Sequence, residues 1–317
     1  MSTPRPPTPR TRPQKAKGLH PRNLHNGPYD FTALSKAHPE LARFVASNQH
    51  GNLGIDFADP QAVKHLNAAL LRHHYQVQQW DIPDGALCPP VPGRADYIHY
   101  VAELLASSAG ATRSRARDIS LLDIGTGASG IYPLLASQIY GWHCVASDIN
   151  PQSIENVATI IAANPALKAL ISVRQQTDKN QFFAGIIQPG EYYDVSVCNP
   201  PFHASTEAAL KGSVRKLDNL ARNRGEQTST TATLNFGGHG AELWCKGGER
   251  LFLKKLIKES QAFASQCRWF TSLVSNGENV KPLIKLLRQH RALDIKEIPM
   301  TQGHKITRIL AWTFTER

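Results

Sequence analysis

The sequence predicts an α/β chain: a mostly parallel, doubly wound sheet of seven strands, entered through a helical N-terminal region. Three observations carry that prediction. From Ile119 onward, short β-branched and aromatic runs alternate with stretches of helical patterning, the rhythm of parallel strands joined by crossover helices. The first of those runs ends in LLDIGTGASG, a glycine-rich turn leading into a helix. The last two runs, ALDIKEI and RILAWTF, lie only about nine residues apart, which suits an antiparallel pair and is too short for a helical crossover.

In chain order, residues 1–29 hold four Arg, two Lys, seven Pro and no acidic residue. Such a composition cannot bury enough apolar surface to fold, so a disordered basic tail is expected there. A helical region follows over about 30–117. Asp59-Pro60 reads as an N-cap with proline at the first helical position, opening a helix expected to reach about Gln79. A second helix is expected from near Arg94, where Ile98, Val101, Ala102 and Leu105 keep the i, i+3, i+4, i+7 spacing of one buried face. The rest, about 118–317, carries the seven strands: ISLLDIG, WHCVASDI, ISVRQQ, YDVSVC, WFTSLVS and the C-terminal pair. One interval breaks the rhythm. About 45 residues separate Phe202 from a helix expected near Gly248, where such connections usually run ~2–6 residues. This insertion, about 203–247, includes Lys211, Arg215, Lys216, Arg222 and Arg224.

Composition narrows the function classes. The 317 residues are 41% hydrophobic, with no apolar run near the ~18 residues a membrane span needs. The N-terminus has no apolar h-region, so neither a secretory signal nor a membrane partner is expected. Cys88, Cys144, Cys198, Cys245 and Cys267 form no Cys-x-x-Cys pair, which argues against a zinc site and a disulfide framework and favours a reducing cytoplasm. A net charge of +11, more than half of it in residues 1–29, favours a polyanionic partner, although a purely solubilising tail has the same composition.

Two stretches carry chemistry. Gly125, Gly127 and Gly130 spell G-x-G-x-x-G at a strand-to-helix turn, a pattern shared by sites for NAD, FAD and S-adenosylmethionine. Asp148 ends the next strand, where a carboxylate accepts hydrogen bonds from ribose hydroxyls in either kind of site. Asp123 tips the balance, because an acid two residues before the first glycine suits a sulfonium and an α-amino group better than a pyrophosphate. The competing reading makes it a strand-end carboxylate satisfied by local amides. The second stretch is VCNPPFHAS. Two prolines directly after a buried strand cannot continue its ladder, and the residue before them is held extended. Around Pro200 and Pro201 the main chain offers carbonyl acceptors without a competing N–H, and Asn199 adds an amide oxygen. Converging acceptors bind both hydrogens of an exocyclic amine and direct its lone pair outward, while Phe202 offers a face on which a base stacks. Placing that amine in line with an activated methyl supplies catalysis through orientation. A Pro-Pro turn closing a strand, with Phe202 in the core, is the alternative.

DIGTG followed by NPPF resembles the amino-directed methyltransferases that use S-adenosylmethionine, whose acceptors are adenine N6, cytosine N4, guanine N2 or glutamine amide nitrogen. VPGRADYIHY before the glycine turn and LNFGGHGAELWCKGGE after NPPF closely resemble the ribosomal RNA large subunit methyltransferase F family and its eukaryotic methyltransferase-like relatives. The similarity runs from about Leu24 to the C-terminus, with the four motifs in the family's order. The resemblance implies a Rossmann-like, seven-stranded methyltransferase fold, S-adenosylmethionine without a metal, and an adenine-N6 product in 23S rRNA. The substrate would be that RNA or a large-subunit assembly intermediate, with no obligate protein partner evident; the basic composition of the tail and of the 203–247 insertion suits phosphate contacts. It also implies residue roles. Arg94 would reach the cofactor's carboxylate (or else form a surface ion pair). Gly125 would line the methionine moiety, and Asp148 would hold the ribose; the reading of the glycine turn and the acid before it adds Gly127 and Asp123 beside the cofactor. Thr177 in QQTD would lie near the adenine end (or else cap a loop). Asn199 and Pro200 would bind the target amine between the cofactor and the elbow completed by Pro201 and Phe202. Three other readings are kept: a guanine-N2 RNA methyltransferase, a non-catalytic RNA-binding protein on the same fold, and a nicotinamide oxidoreductase. The last leaves NPPF and the basic insertion unexplained.

Overall fold

The computed structural model describes residues 18–48, 51–108, 119–201, 247–302 and 305–316. Phe202 and nearly all of the expected 203–247 insertion lie outside them, as do residues 1–17.

The N-terminal region is helical, as its periodicity predicts. Helix α1 (Phe31–Ala37) is capped by Asp30, whose carboxylate accepts from the Ala33 amide at 3.0 Å. A 3₁₀ turn, Pro39–Phe44, and a two-stranded ribbon, β1 (Ala46–Ser47) with β2 (Leu53–Gly54), lead to α2 (Pro60–Tyr75). Asp59 caps α2 through the Gln61 amide at 2.8 Å. The helix stops at Tyr75 and not near Gln79, because Gln76 turns left-handed (φ 58°) and the Val77 amide closes back on Leu71 O. No glycine marks that stop. Helix α3 (Val91–Ser108) starts one turn before Arg94.

Part of the expected tail is folded. Residues 18–29 run along α3, where the His20 amide donates to Asp96 Oδ1 (2.9 Å) and Asn23 Nδ2 donates to Asp96 Oδ1 (2.5 Å) and Pro92 O (2.8 Å). The His20 ring stacks on His99, and His25 Nε2 meets the Tyr75 hydroxyl at 2.9 Å. Counting apolar residues missed this, since the segment docks through hydrogen bonds and imidazole faces. It also explains why α3 buries more than one stripe: Asp96 and His99 are as enclosed as Val101 and Leu105.

All seven strands form one sheet: β3 (Ser120–Ile124), β4 (His143–Asp148), β5 (Ile171–Gln175), β6 (Tyr193–Cys198), β7 (Cys267–Val274), β8 (Asp294–Gln302) and β9 (Lys305–Thr313), in the order β5-β4-β3-β6-β7-β9-β8. The first five run parallel, and β9 enters antiparallel to both β7 and β8. Helices α3, α4 (Ile131–Tyr140) and α5 (Pro151–Ala163) pack one face, joined there by α2. Helices α6 (Gly248–Ser260) and α7 (Val280–Gln289) pack the other. Alternation along β3 sends Leu121 to the first core and Leu122 and Ile124 to the second, so Asp123 faces the α3 side. Strand order reverses between β3 and β6. A crevice therefore opens outside their carboxyl ends, the position at which open α/β sheets bind ligands.

Candidate active site

The glycine turn is built between the ends of β3 and β4. Gly125 and Gly127 hold positive φ (74° and 63°), a backbone that L side chains rarely adopt. Their amides are already engaged: Gly125 and Thr126 N–H both donate to Ser147 O at 2.9 Å, and Gly127 N–H donates to Asp148 Oδ2 at 2.8 Å. A turn whose donors are consumed this way has little left for a pyrophosphate. A Cβ on Gly125 would meet nothing within 4 Å, so the turn faces open space. Gly130 has a different task. Val157 of α5 lies 3.1 Å from where its Cβ would sit, so the third glycine packs helix on helix.

That open space is a cavity of about 710 Å³ at the reversal point of the sheet. The wall contributed by α3 and α4 includes Arg94 and Tyr132, with Arg94 Nη1 donating to the Tyr132 hydroxyl at 2.8 Å. Behind the glycine turn sits Asp123, fully buried, with neither carboxylate oxygen in a well-formed hydrogen bond among the described residues and Thr126 the side chain that comes nearest to donating one. Burial pushes its carboxyl up to about 7, with the nearby Asp148 carboxylate adding to the rise and Thr126 and Arg94 opposing it. Asp148 lines the cavity itself, its Oδ1 accepting from the Asn150 amide at 2.8 Å.

The Asn-Pro-Pro elbow closes the site at the end of β6. Asn199 and Pro201 line the cavity, and Pro200 is buried between them. Asn199 Oδ1 is a buried acceptor without a donor among the described residues. A buried, unpaired polar atom costs about 1–3 kcal/mol, so Asn199 Oδ1 on the cavity wall marks a place where stability is given up for ligand chemistry.

The remaining wall was not legible beforehand. Thr177 is exposed and does not line the cavity; its neighbour Gln176 does, followed by Lys179, Asn180, Gln181 and Phe182. This stretch is anchored from below. Glu259 accepts three consecutive amides, Phe182, Phe183 and Ala184, at 2.8–2.9 Å. A bidentate Arg174–Glu191 pair at 2.5–2.6 Å pins its far end and holds the Glu191 carboxyl down at about 2. No spacing rule links Glu259 to residues some 75 positions earlier. Tyr132 was hidden for another reason, since its helix reads as uniformly apolar. Leu251, Phe252 and Lys255 of α6 complete the rim.

The residues fit an adenosyl cation with an amino-acid tail. Asp123 is a buried carboxyl behind the glycine turn, Asp148 is an anchored carboxylate on the wall, and Arg94 on the same cavity suits a carboxylate ligand. Two carboxylates beside the glycine turn repel a dinucleotide's phosphates. Among the described residues, no group of three or more His, Cys, Asp or Glu is placed to hold a metal ion, and no helix is long and apolar enough to cross a membrane.

A family model described as RNA methyltransferase matches residues 13–316. Ribosomal RNA large subunit methyltransferase F of Saccharophagus degradans is 57% identical over 310 residues, covering 95% of this chain and 96% of its own. The chain belongs to the ribosomal RNA large subunit methyltransferase F family. Its relative of that name from Shewanella putrefaciens is 57% identical over 298 residues, 94% of this chain and 83% of that one. Among solved structures, the human METTL16 catalytic domain in complex with MAT2A 3′UTR hairpin 1 superposes with a TM-score of 0.78 at 29% identity, covering 95% and 96% of the two chains. The N-terminal domain of human METTL16 in complex with SAH gives 0.74 at 27% identity, covering 95% and 100%. In this member of the F family, three of the motifs that carry the resemblance meet at one crevice: VPGRADYIHY opens α3, DIGTG ends β3 and Asn-Pro-Pro ends β6.

Proposed function

We propose that this chain methylates the N6 amino group of one adenine in 23S ribosomal RNA, using S-adenosylmethionine as methyl donor. Family membership supports the substrate class, and the SAH complex of a structural relative supports the donor. The observation that carries the chemistry is the unpaired buried acceptor Asn199 Oδ1 on the cavity wall, with the buried Asp123 carboxyl two residues before the glycine turn that lines the same cavity. S-adenosylmethionine, when bound, supplies a methyl on a sulfonium that departs as the neutral thioether as the adenine amine attacks in line. Asp148 holds the ribose, Asp123 sets the negative field for the cationic end, and Arg94 meets the carboxylate. Asn199 Oδ1 and the Pro200 carbonyl accept the two amine hydrogens, which aims the nitrogen lone pair at the methyl; the surplus proton passes to water once the C–N bond has formed. Pro201 keeps a competing N–H out of the site. The target base must be unpaired or flipped to reach these groups. The described cysteines are free thiols, which fits a cytoplasmic protein.

Nucleoside mass spectrometry of 23S rRNA from a deletion strain, after incubation with the purified protein, tests the reading: N6-methyladenosine is expected, and N2-methylguanosine would replace it with the guanine reaction. Asn199→Ala should lower turnover by ~100-fold while S-adenosylmethionine still binds. Asp148→Ala should weaken the cofactor first, by ~10-fold or more.

A further inference from the structure

The β6–β7 ladder ends early. Its register runs Tyr193↔Cys267, Val195↔Trp269 and Ser196↔Phe270, and stops there, although β7 continues to Val274. Beyond Ser196 the two strands are joined by side chains. Thr271 Oγ1 donates to Ser196 O at 2.8 Å, and Ser272 Oγ reaches Cys198 O at 3.4 Å. Between them lies the hydroxyl of Tyr97, fully buried, 2.7 Å from Thr271 Oγ1 and 3.4 Å from the Cys198 amide.

The direction of this chain is fixed by counting hydrogens. Ser196 O has none to give, so the Thr271 proton goes to it, and Thr271 must accept from Tyr97. The single proton of Tyr97 is then spent, so Tyr97 accepts from the Cys198 N–H. The order is Cys198 N–H to Tyr97 O–H to Thr271 O–H to Ser196 O. Its first donor is the amide immediately before Asn199. Tyr97 reaches it from α3, one turn after Arg94, and its ring packs edge-on to Tyr132, the residue that Arg94 touches.

We infer that Tyr97 is a positioning residue for methyl transfer: its hydroxyl fixes the acceptor elbow at Asn199 in register with the Arg94 end of the cofactor site. One helix thus sets the donor and acceptor geometry together. The end of β6 is held on one side by its ladder to β3, which runs on to Cys198, and on the β7 side by the hydroxyl chain. This role rests on the methyltransferase reading for its kinetic consequence, but not for its structural one.

Tyr97→Phe removes the hydroxyl and keeps the ring. S-adenosylmethionine affinity should stay within ~3-fold of wild type, while single-turnover methylation of 23S rRNA should fall by ~10- to 100-fold, the penalty of a small misplacement. Hydrogen exchange should accelerate in a peptide spanning 196–201 and not in one spanning β3. Thr271→Val should reproduce the defect and Thr271→Ser should restore it. The double variant should be little worse than either single one, because both break one chain. Wild-type rates in Tyr97→Phe, or cofactor affinity and turnover falling together, would overturn the inference. Should Tyr97→Phe not fold, the Thr271→Val and Thr271→Ser pair decides it. A wild-type protein inactive on 23S rRNA would sink the proposed substrate instead, and the exchange measurement would still judge Tyr97.

Discussion

At the scale of single residues, Asp123 shows how a binding site trades against stability. Its carboxyl is held near 7 chiefly by burial, so between about pH 4 and 7 the folded chain binds a proton that the unfolded chain has released. Stability therefore falls as pH rises through that window. Asp123→Asn should remove the penalty and raise the melting temperature of the free protein by at least ~2 °C at about pH 8. The same change should cost cofactor affinity, since the sulfonium and ammonium lose their counter-charge. In the wild type that affinity should climb with pH toward 7, where the carboxylate ionises, and in Asp123→Asn the climb should disappear. Calorimetric titration with S-adenosylmethionine across pH checks both signs. An Asp123→Asn protein that is less stable and still binds the cofactor would mean that the carboxylate serves the fold. The sequence announced Asp123 through its distance from Gly125. It could not announce Glu259 or Tyr97, whose partners lie 75 to 174 positions away along the chain.

Elements were legible where a local rule governs them. Strands β3 to β9 follow from short apolar runs between turns, and α2 begins where Asp59-Pro60 says it must. Boundaries without a marker residue were missed, as at Gln76, where tertiary packing imposes a left-handed stop. The docked segment 18–29 was missed because its adhesion is polar, and polar adhesion makes it sensitive to pH. Burial lowers His25 to about 4, helped by His74 and His99, and lowers His99 to about 4, helped by His20 and Arg22 against Glu103. Both rings are buried neutral with the segment docked, so from about pH 6.5 down to 4 the released state gains protons, at His25 of the segment and His99 of α3, that the docked state refuses. Docking should weaken steadily across that interval. Amide exchange in residues 18–29 should rise at about pH 5 relative to pH 7.5, with the β3–β6 core unchanged. His25→Phe together with His99→Phe should blunt the response. If exchange at 18–29 does not change between these conditions, the imidazoles are not what ties the segment down.

At the scale of the molecule, sheet order puts the chemistry at one crevice and leaves the RNA to be held by charge. The parallel core and its antiparallel C-terminal pair were readable from the spacing of the strands, whereas the order β5-β4-β3-β6-β7-β9-β8 is a long-range outcome that no local window contains. Net charge is a property of the whole chain, and at +11 it favours phosphate contacts. Each phosphate neutralised on a single strand adds ~0.7 to the slope of log affinity against log salt. Arg5, Arg10, Arg12, Lys15 and Lys17 all precede Gly18, so removing residues 1–17 deletes five cations without touching the segment docked on α3. If those cations reach phosphates, the truncated protein should bind a 23S rRNA fragment with a visibly shallower salt slope. Its affinity for S-adenosylmethionine should be unchanged, because every residue that lines that cavity lies after Gly18. Cutting on to residue 26 should add a different defect, since it removes His20, Asn23 and His25 from α3. Cofactor binding should then weaken through Arg94. An unaltered slope after the shorter cut would make residues 1–17 passengers, and the phosphate contacts would have to come from the body of the protein.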